Sequence, residues 1–258
     1  RALRVGADRW SVQLGAADVL RTAGQDADAM AAVDRALFLA QTPDDRSTVL
    51  FGRAYIHRYA GRLGEAAADA RAASALDNSD TARMLMVGLM MDNPDTWAEA
   101  ISIGRQLVAE LPDSVDRLNG LGYALIQRPE GLEEGFRLLW RGYSLGEHDY
   151  AVVDSLGWAY YLHGAFDEAL ALIQRSNEMS RREPNAEILD HLGDVLWRLD
   201  RRQEAQEAWR QALRARPEQP RRGLIEGKLR DGLTTPAPVQ RPLPEVDTQT
   251  TPSERSQT

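Results

Sequence analysis

The chain has 258 residues, 43% of them hydrophobic and 27% charged, with a net charge of −8 and no cysteine. The acidic balance argues against nucleic acid and against an anionic membrane surface, because both are met by Lys/Arg-rich faces. The absence of cysteine excludes disulfides, thiolate zinc sites and a cysteine nucleophile. No apolar run approaches the roughly 20 residues that span a bilayer, so no direct membrane insertion is expected; the longest is Met84 to Met91.

From the N-terminus, Arg1-Ala2-Leu3 (within residues 1–6) reads as the last turn of a helix, so further repeats are expected upstream. Helical segments with apolar residues at i, i+3 and i+4 then alternate with short polar turns. The units run at about 7–43, 44–79, 80–113, 114–148, 149–185 and 186–219. Their clearest copies face each other in Val153 to Pro217, where Asp154-Ser155-Leu156-Gly157-Trp158 returns 36 residues later as Asp190-His191-Leu192-Gly193-Asp194. Traced backward, a first-helix glycine is expected at Gly193, Gly157, Gly122, Gly88, Gly52 and Gly15. A small residue in the second helix follows in parallel at Ala205, Ala169, Gly135, Ala100, Ala66 and Ala29. Two ladders of one stride mark a stacked helical array. The first helix of the third unit, ARMLMVGLMMD, is apolar on nearly every side and is read as buried between neighbours. The fourth unit looks weakest, since Gly135 and Gly142 replace alanine inside a helix and each costs roughly 1 kcal/mol.

After the last unit, residues 220–233 read as a capping helix, with Leu224, Ile225 and Leu229 covering the open end and Arg222, Lys228 and Arg230 facing water. Residues 234–258 hold five of the twelve prolines and no aromatic residue. Such a segment is expected to be disordered.

In the last copy, Leu189, Leu192, Gly193 and Leu196 in the first helix and Ala205, Trp209, Ala212 and Pro217 in the second resemble the tetratricopeptide repeat, a helix–turn–helix unit of about 34 residues. The resemblance covers Ala7 to Pro217. It implies an all-α fold: a right-handed superhelical solenoid of antiparallel helix pairs, with first helices lining a concave face. The implied function is protein binding along that face. Counted from each glycine, the inward residues would be Asp154, Trp158 and Tyr161, then Asp190, Asp194 and Trp197, with Asn119 and Tyr123 beside them. Each trio follows i, i+4, i+7 and shares one helical face. A groove for a segment carrying Lys or Arg between apolar side chains is expected there. The competing expectation packs Trp158 and Tyr161 between helices. Arg46 and Arg53 would make the N-terminal half of the same face basic.

The carboxylate clamp of chaperone-binding relatives is not expected, since Val49, Arg53, Leu85 and Leu89 stand at its places. Asp190, His191 and Asp194 are a poor metal set, because His191 points about 100° from Asp190 and no second histidine is at ligand spacing. No catalytic motif is present, no cofactor is implied, and the chain reads as a non-catalytic scaffold or adaptor. The alternative is the substrate-docking arm of a larger enzyme or protease complex. The Val153–Pro217 pairing is also similar to bacterial repeat proteins, several of them exported or lipid-anchored, which implies a periplasmic or cell-envelope placement.

Overall fold

A computed structural model describes residues 9–217 and 220–246. The reading of Arg1-Ala2-Leu3 and of residues 247–258 lies outside those residues. Every regular element described is helical, and the chain divides inside one helix into two compact units, 1–106 and 107–258.

The first unit pairs α1 (Trp10–Thr22) with α2 (Asp26–Leu39) and α3 (Pro43–Tyr59) with α4 (Leu63–Leu76), then adds α5 (Asp80–Met91) and most of α6 (Trp97–Glu110). Helix starts are written locally. Thr42 caps α3 by accepting from the Asp45 amide at 3.1 Å, with Pro43 in the first turn, and Ser79 caps α5 through the Ala82 amide. These side-chain oxygens satisfy amide donors that the helix itself leaves open. The interior is rich in alanine, with Ala17, Ala29, Ala32, Ala36, Ala54, Ala66, Ala70 and Ala73 all fully buried beside larger side chains such as Val33, Val49, Ile56 and Met90. Small side chains let the paired helices approach closely, at the cost of burying little apolar area per residue.

The second unit contains α7 (Val115–Ile126), a 3-10 turn at Pro129–Gly131, α8 (Leu132–Gly146), α9 (Tyr150–Leu162), α10 (Phe166–Met179), α11 (Ala186–Arg198), α12 (Arg202–Arg214) and α13 (Arg221–Asp231). Larger side chains fill it, among them Phe136, Leu139, Leu156, Ile173 and Trp209. Four helix pairs across the chain share one turn. Gly24, Gly61, Gly164 and Asp200 take positive φ, and the next amide closes on the carbonyl five residues back, as in Ala165 N to Tyr160 O at 3.0 Å. That is the Schellman closure of a helix C-terminus.

This shared turn corrects the glycine ladder. Counting seven residues back from it gives Ala17, Ala54, Gly157 and Gly193, all buried against their partner helices. In the two pairs with the longer turn, Val87 and Gly122 stand four residues before the helix ends at Met91 and Ile126. Gly15 and Gly88 point away, and a Cβ there would meet nothing within 4 Å. The second-helix ladder needs no correction, since Ala29, Ala66, Ala100, Gly135, Ala169 and Ala205 are all buried.

The fourth pair is close-packed rather than weak. A Cβ on Gly135 would lie 2.7 Å from the Gly122 carbonyl oxygen, and one on Gly122 would lie 3.1 Å from that of Gly135. Two facing glycines let these backbones touch, an approach that a Cβ at either position would bar.

Residues 234–246 are extended along the second unit instead of disordered. Arg198 donates to the carbonyls of Thr235 and Pro236, and the Arg241 amide donates to the His163 carbonyl at 2.9 Å. Four prolines already restrict this stretch, so few anchors are needed to order it.

Candidate protein-interaction site

In the second unit α7, α9 and α11 lie side by side, and their facing side chains converge. Trp158 is the centre. Its ring stacks on Tyr161 at 4.4 Å on one side and on His191 at 4.1 Å on the other. His191 Nδ1 lies 2.9 Å from Asp154 Oδ2, which ties α11 to α9. Burial opposes charge on His191, but the Asp154 carboxylate outweighs it and holds the imidazole above its ordinary pKa. Tyr123 on α7 donates to Glu187 on α11 at 2.8 Å; burial and then that carboxylate push its phenol well up. Asn119 keeps its Oδ1 buried without a partner.

The acids do not face water. Asp154, Asp190 and Asp194 are all buried. Lys228 of α13 reaches Asp190 at 2.6 Å and Asp194 at 2.8 Å, while Arg221 reaches Glu187 at 2.6 Å and Asp190 at 3.5 Å. Asp194 also accepts from Trp209 Nε1 at 3.0 Å. Two carboxylates this buried need a cation, because an unpaired charge in low dielectric is costly. Burial tends to neutralise Lys228, and the two aspartates overcome it and raise its pKa. Glu187 is held below its ordinary value, since His191 and Arg221 outweigh the burial that opposes ionisation. Trp197 carries the Arg202 guanidinium over its face at 4.0 Å, and its ring packs on Gly232.

The structure brings Asp154, Trp158 and Tyr161 of α9 beside Asp190 and Asp194 of α11, sets Trp197 against Gly232, and joins Lys228, expected in water, to the two aspartates. From the sequence alone Glu187 and Arg221 carry no role, and His191 is weighed only as a metal ligand. The available signal was the spacing Arg221–Ile225–Lys228, which lies on one helical face. Asp190, His191 and Asp194 do not converge as a ligand set, because His191 turns to Asp154 while the aspartates turn to Lys228. Between α9, α13 and the extended segment remains a cavity of about 530 Å³, walled by Trp158, Tyr161, Leu162, Asp194, Leu224 and Lys228.

In the first unit Arg53 is one residue before the packed Ala54, so it faces its own partner helix. It makes a two-pronged bond to Asp69 at 2.6 and 2.7 Å, with Asp34 at 4.0 Å. Arg46 donates to the Leu37 carbonyl. His57 is held below its ordinary pKa, by burial first and by Arg62 second. The expected basic face is thus largely neutralised internally.

No family model matches the chain. It is 32% identical over 90 residues to a TPR repeat-containing protein of Pseudomonas aeruginosa, a stretch that covers 35% of this chain and 15% of that protein. A thermophilic TPR protein of Thermus thermophilus superposes with a TM-score of 0.58 at 19% identity, over 71% of this chain and 98% of that one. A chain of the APC/C hetero-tetramer Cut9–Hcn1 also gives 0.58 at 13% identity, over 90% of this chain and 44% of that one. The chain has the fold of tetratricopeptide repeat proteins. It spans only about a seventh of the length of the curated relative it matches. Within the array, a Cβ on Gly193 would stand 2.2 Å from Trp209 Nε1, so the repeat's small first-helix residue and large second-helix residue are one packing device.

Proposed function

We propose that the array is a non-catalytic protein-binding scaffold that takes a partner side chain into the cavity beside Trp158 and Tyr161. The observation that carries this reading is the lining. Two stacked aromatic rings and an aliphatic rim surround an Asp194–Lys228 pair, inside a volume within the roughly 300–1,000 Å³ typical of ligand pockets. Aromatic walls supply rigid contact area, and a single charged pair fixes orientation. The face also has an occupant of the anticipated chemistry. Helix α13 sets Arg221 and Lys228 on the acids with the fully buried Ile225 between them. A partner segment of similar character, apolar with a basic residue, fits the remaining space.

Leu224 tests this directly, because it lines the cavity yet is 62% exposed, so a polar replacement leaves the core intact. Peptides selected by display on the full chain are expected to lose at least about tenfold in affinity for Leu224→Arg. The control Phe38→Arg, at an exposed site in the first unit, should bind them unchanged. Binders that hold Leu224→Arg as tightly as the native chain would remove the cavity as the docking site.

A further inference from the structure

We propose that the row of first-to-second-helix turns in the second unit is a docking track for an extended, proline-containing segment, and that Thr234–Val246 is its resident, displaceable occupant. The track adjoins the cavity, since Arg198 also donates to the Tyr161 hydroxyl at 3.1 Å and the resident segment forms one wall. After Gly232 the chain runs backward across successive pairs. It meets Arg198 at the end of α11, then His163 and Gly164 at the end of α9, and Val246 joins the cluster of Leu132, Phe136 and Tyr160.

The recognition is of backbone. Arg198 donates to the Thr235 and Pro236 carbonyls at 2.8 and 3.2 Å, and the His163 carbonyl accepts the Arg241 amide. Arg241 is not a proline, while Pro236, Pro238, Pro242 and Pro244 flank the contacts where no amide is required. Gly164 is shaped for this approach, since a Cβ there would lie 2.8 Å from the Gln240 backbone. The same turn position at Gly24 and Gly61 has nothing within 4 Å. A pre-extended proline segment loses little entropy on docking, which is why such segments suit shallow tracks.

The hold is weak by construction. Val239 is 73% and Leu243 40% exposed, whereas Ile225 of α13 is fully buried. The segment stays because it is tethered, and a tether of this length supplies an effective concentration in the millimolar range. A free segment of the same chemistry must outcompete that.

The probe is a fluorescent peptide with the sequence of residues 234–246, titrated into two full-length proteins. One is native; the other has 234–246 replaced by Gly/Ser of equal length. The replaced protein is expected to bind saturably and the native one about tenfold more weakly. A peptide N-methylated at the position of Arg241 should lose at least tenfold, because it cannot donate to His163. A replaced protein with native circular dichroism that ignores the peptide at millimolar concentration, or takes both peptides equally, overturns the proposal. If the replacement prevents folding, the native chain decides by hydrogen exchange. Protection at the Arg241 amide should fall with millimolar peptide, and constant protection sinks the idea. Failure here leaves the cavity reading to Leu224→Arg, which probes a side chain outside the track.

Discussion

At the scale of single residues, which glycines matter is decided by what stands opposite them. Gly193 faces the Trp209 indole, which is fully buried and fixed by Asp194, so an added methyl has nowhere to go. Gly193→Ala is expected to cost about 1–3 kcal/mol through overpacking. Gly88 is exposed with open space beside it, so Gly88→Ala should stabilise by about 0.5–1 kcal/mol through helix propensity alone. Urea unfolding of both variants checks the corrected register, and equal effects would refute it. Titration separates the units in the same way. His191 is raised and Glu187 lowered. A raised histidine stabilises fully below its unfolded value of about 6.5 and loses that as pH rises through the folded value. A lowered carboxylate stabilises above about 4.3 and loses that as pH falls through the folded value. These two contributions to the second unit are fully present together between about pH 4.3 and 6.5. His57 is lowered, so its contribution to the first unit is held above about 6.5 and lost on acidification. Urea midpoints at pH 6 and pH 8.5 should move in opposite senses for His191→Gln and His57→Gln relative to the native chain; parallel movement would contradict the assignment.

At the scale of elements, helix α13 is the part whose placement the acids determine. Lys228 is the cation shared by Asp190 and Asp194. Lys228→Met keeps the stem's bulk but leaves buried Asp194 without a cation and Asp190 with Arg221 alone, at 3.5 Å, and it should cost about 3 kcal/mol in urea unfolding. Adding Asp194→Asn should recover part of that loss, whereas a neutral Lys228→Met would show that the pair is not closed in solution. The helices themselves were legible, because a 3.6-residue period and the second-helix alanines specify each pair. The direction of α13 was not. A lysine on an amphipathic helix reads as solvated unless the acids it must meet are known to be buried, and that depends on how α9 and α11 pack. The extended segment escaped for a related reason. Proline-rich composition reports the lack of a core, but a few anchors such as Arg198 and the His163 carbonyl hold a chain that is already stiff. The first-helix glycines misled because helix-interior glycine has two opposite causes, close contact and plain exposure, and composition does not separate them. Arg53 was misplaced by that same shift in register.

At the scale of the whole chain, the two units are built from the same pair with different filling. The first leans more on alanine, with Ala29, Ala32, Ala36, Ala66, Ala70 and Ala73 fully buried beside Val33, Val49, Ile56 and Met90. The second buries Phe136, Leu139, Leu156, Ile173 and Trp209. Burial contributes roughly 25 cal/mol per Å² of apolar area, and an alanine offers far less area than a leucine or tryptophan. Ordering the backbone costs about the same per residue in both. The alanine-rich unit therefore has the smaller margin, although helix propensity and the Arg53–Asp69 tie between α3 and α4 offset part of the difference. In a repeat array stability is local, a sum over units and their neighbours. Unfolding should consequently proceed in two steps rather than one. Hydrogen exchange followed by mass spectrometry in rising urea is expected to show α1 to α4 losing protection first, while α9 to α12 remain closed. The buried environment of Trp209 should change only in the second step. Simultaneous loss across both units would mean that their coupling exceeds the difference in their cores, and the order would then reveal nothing about filling.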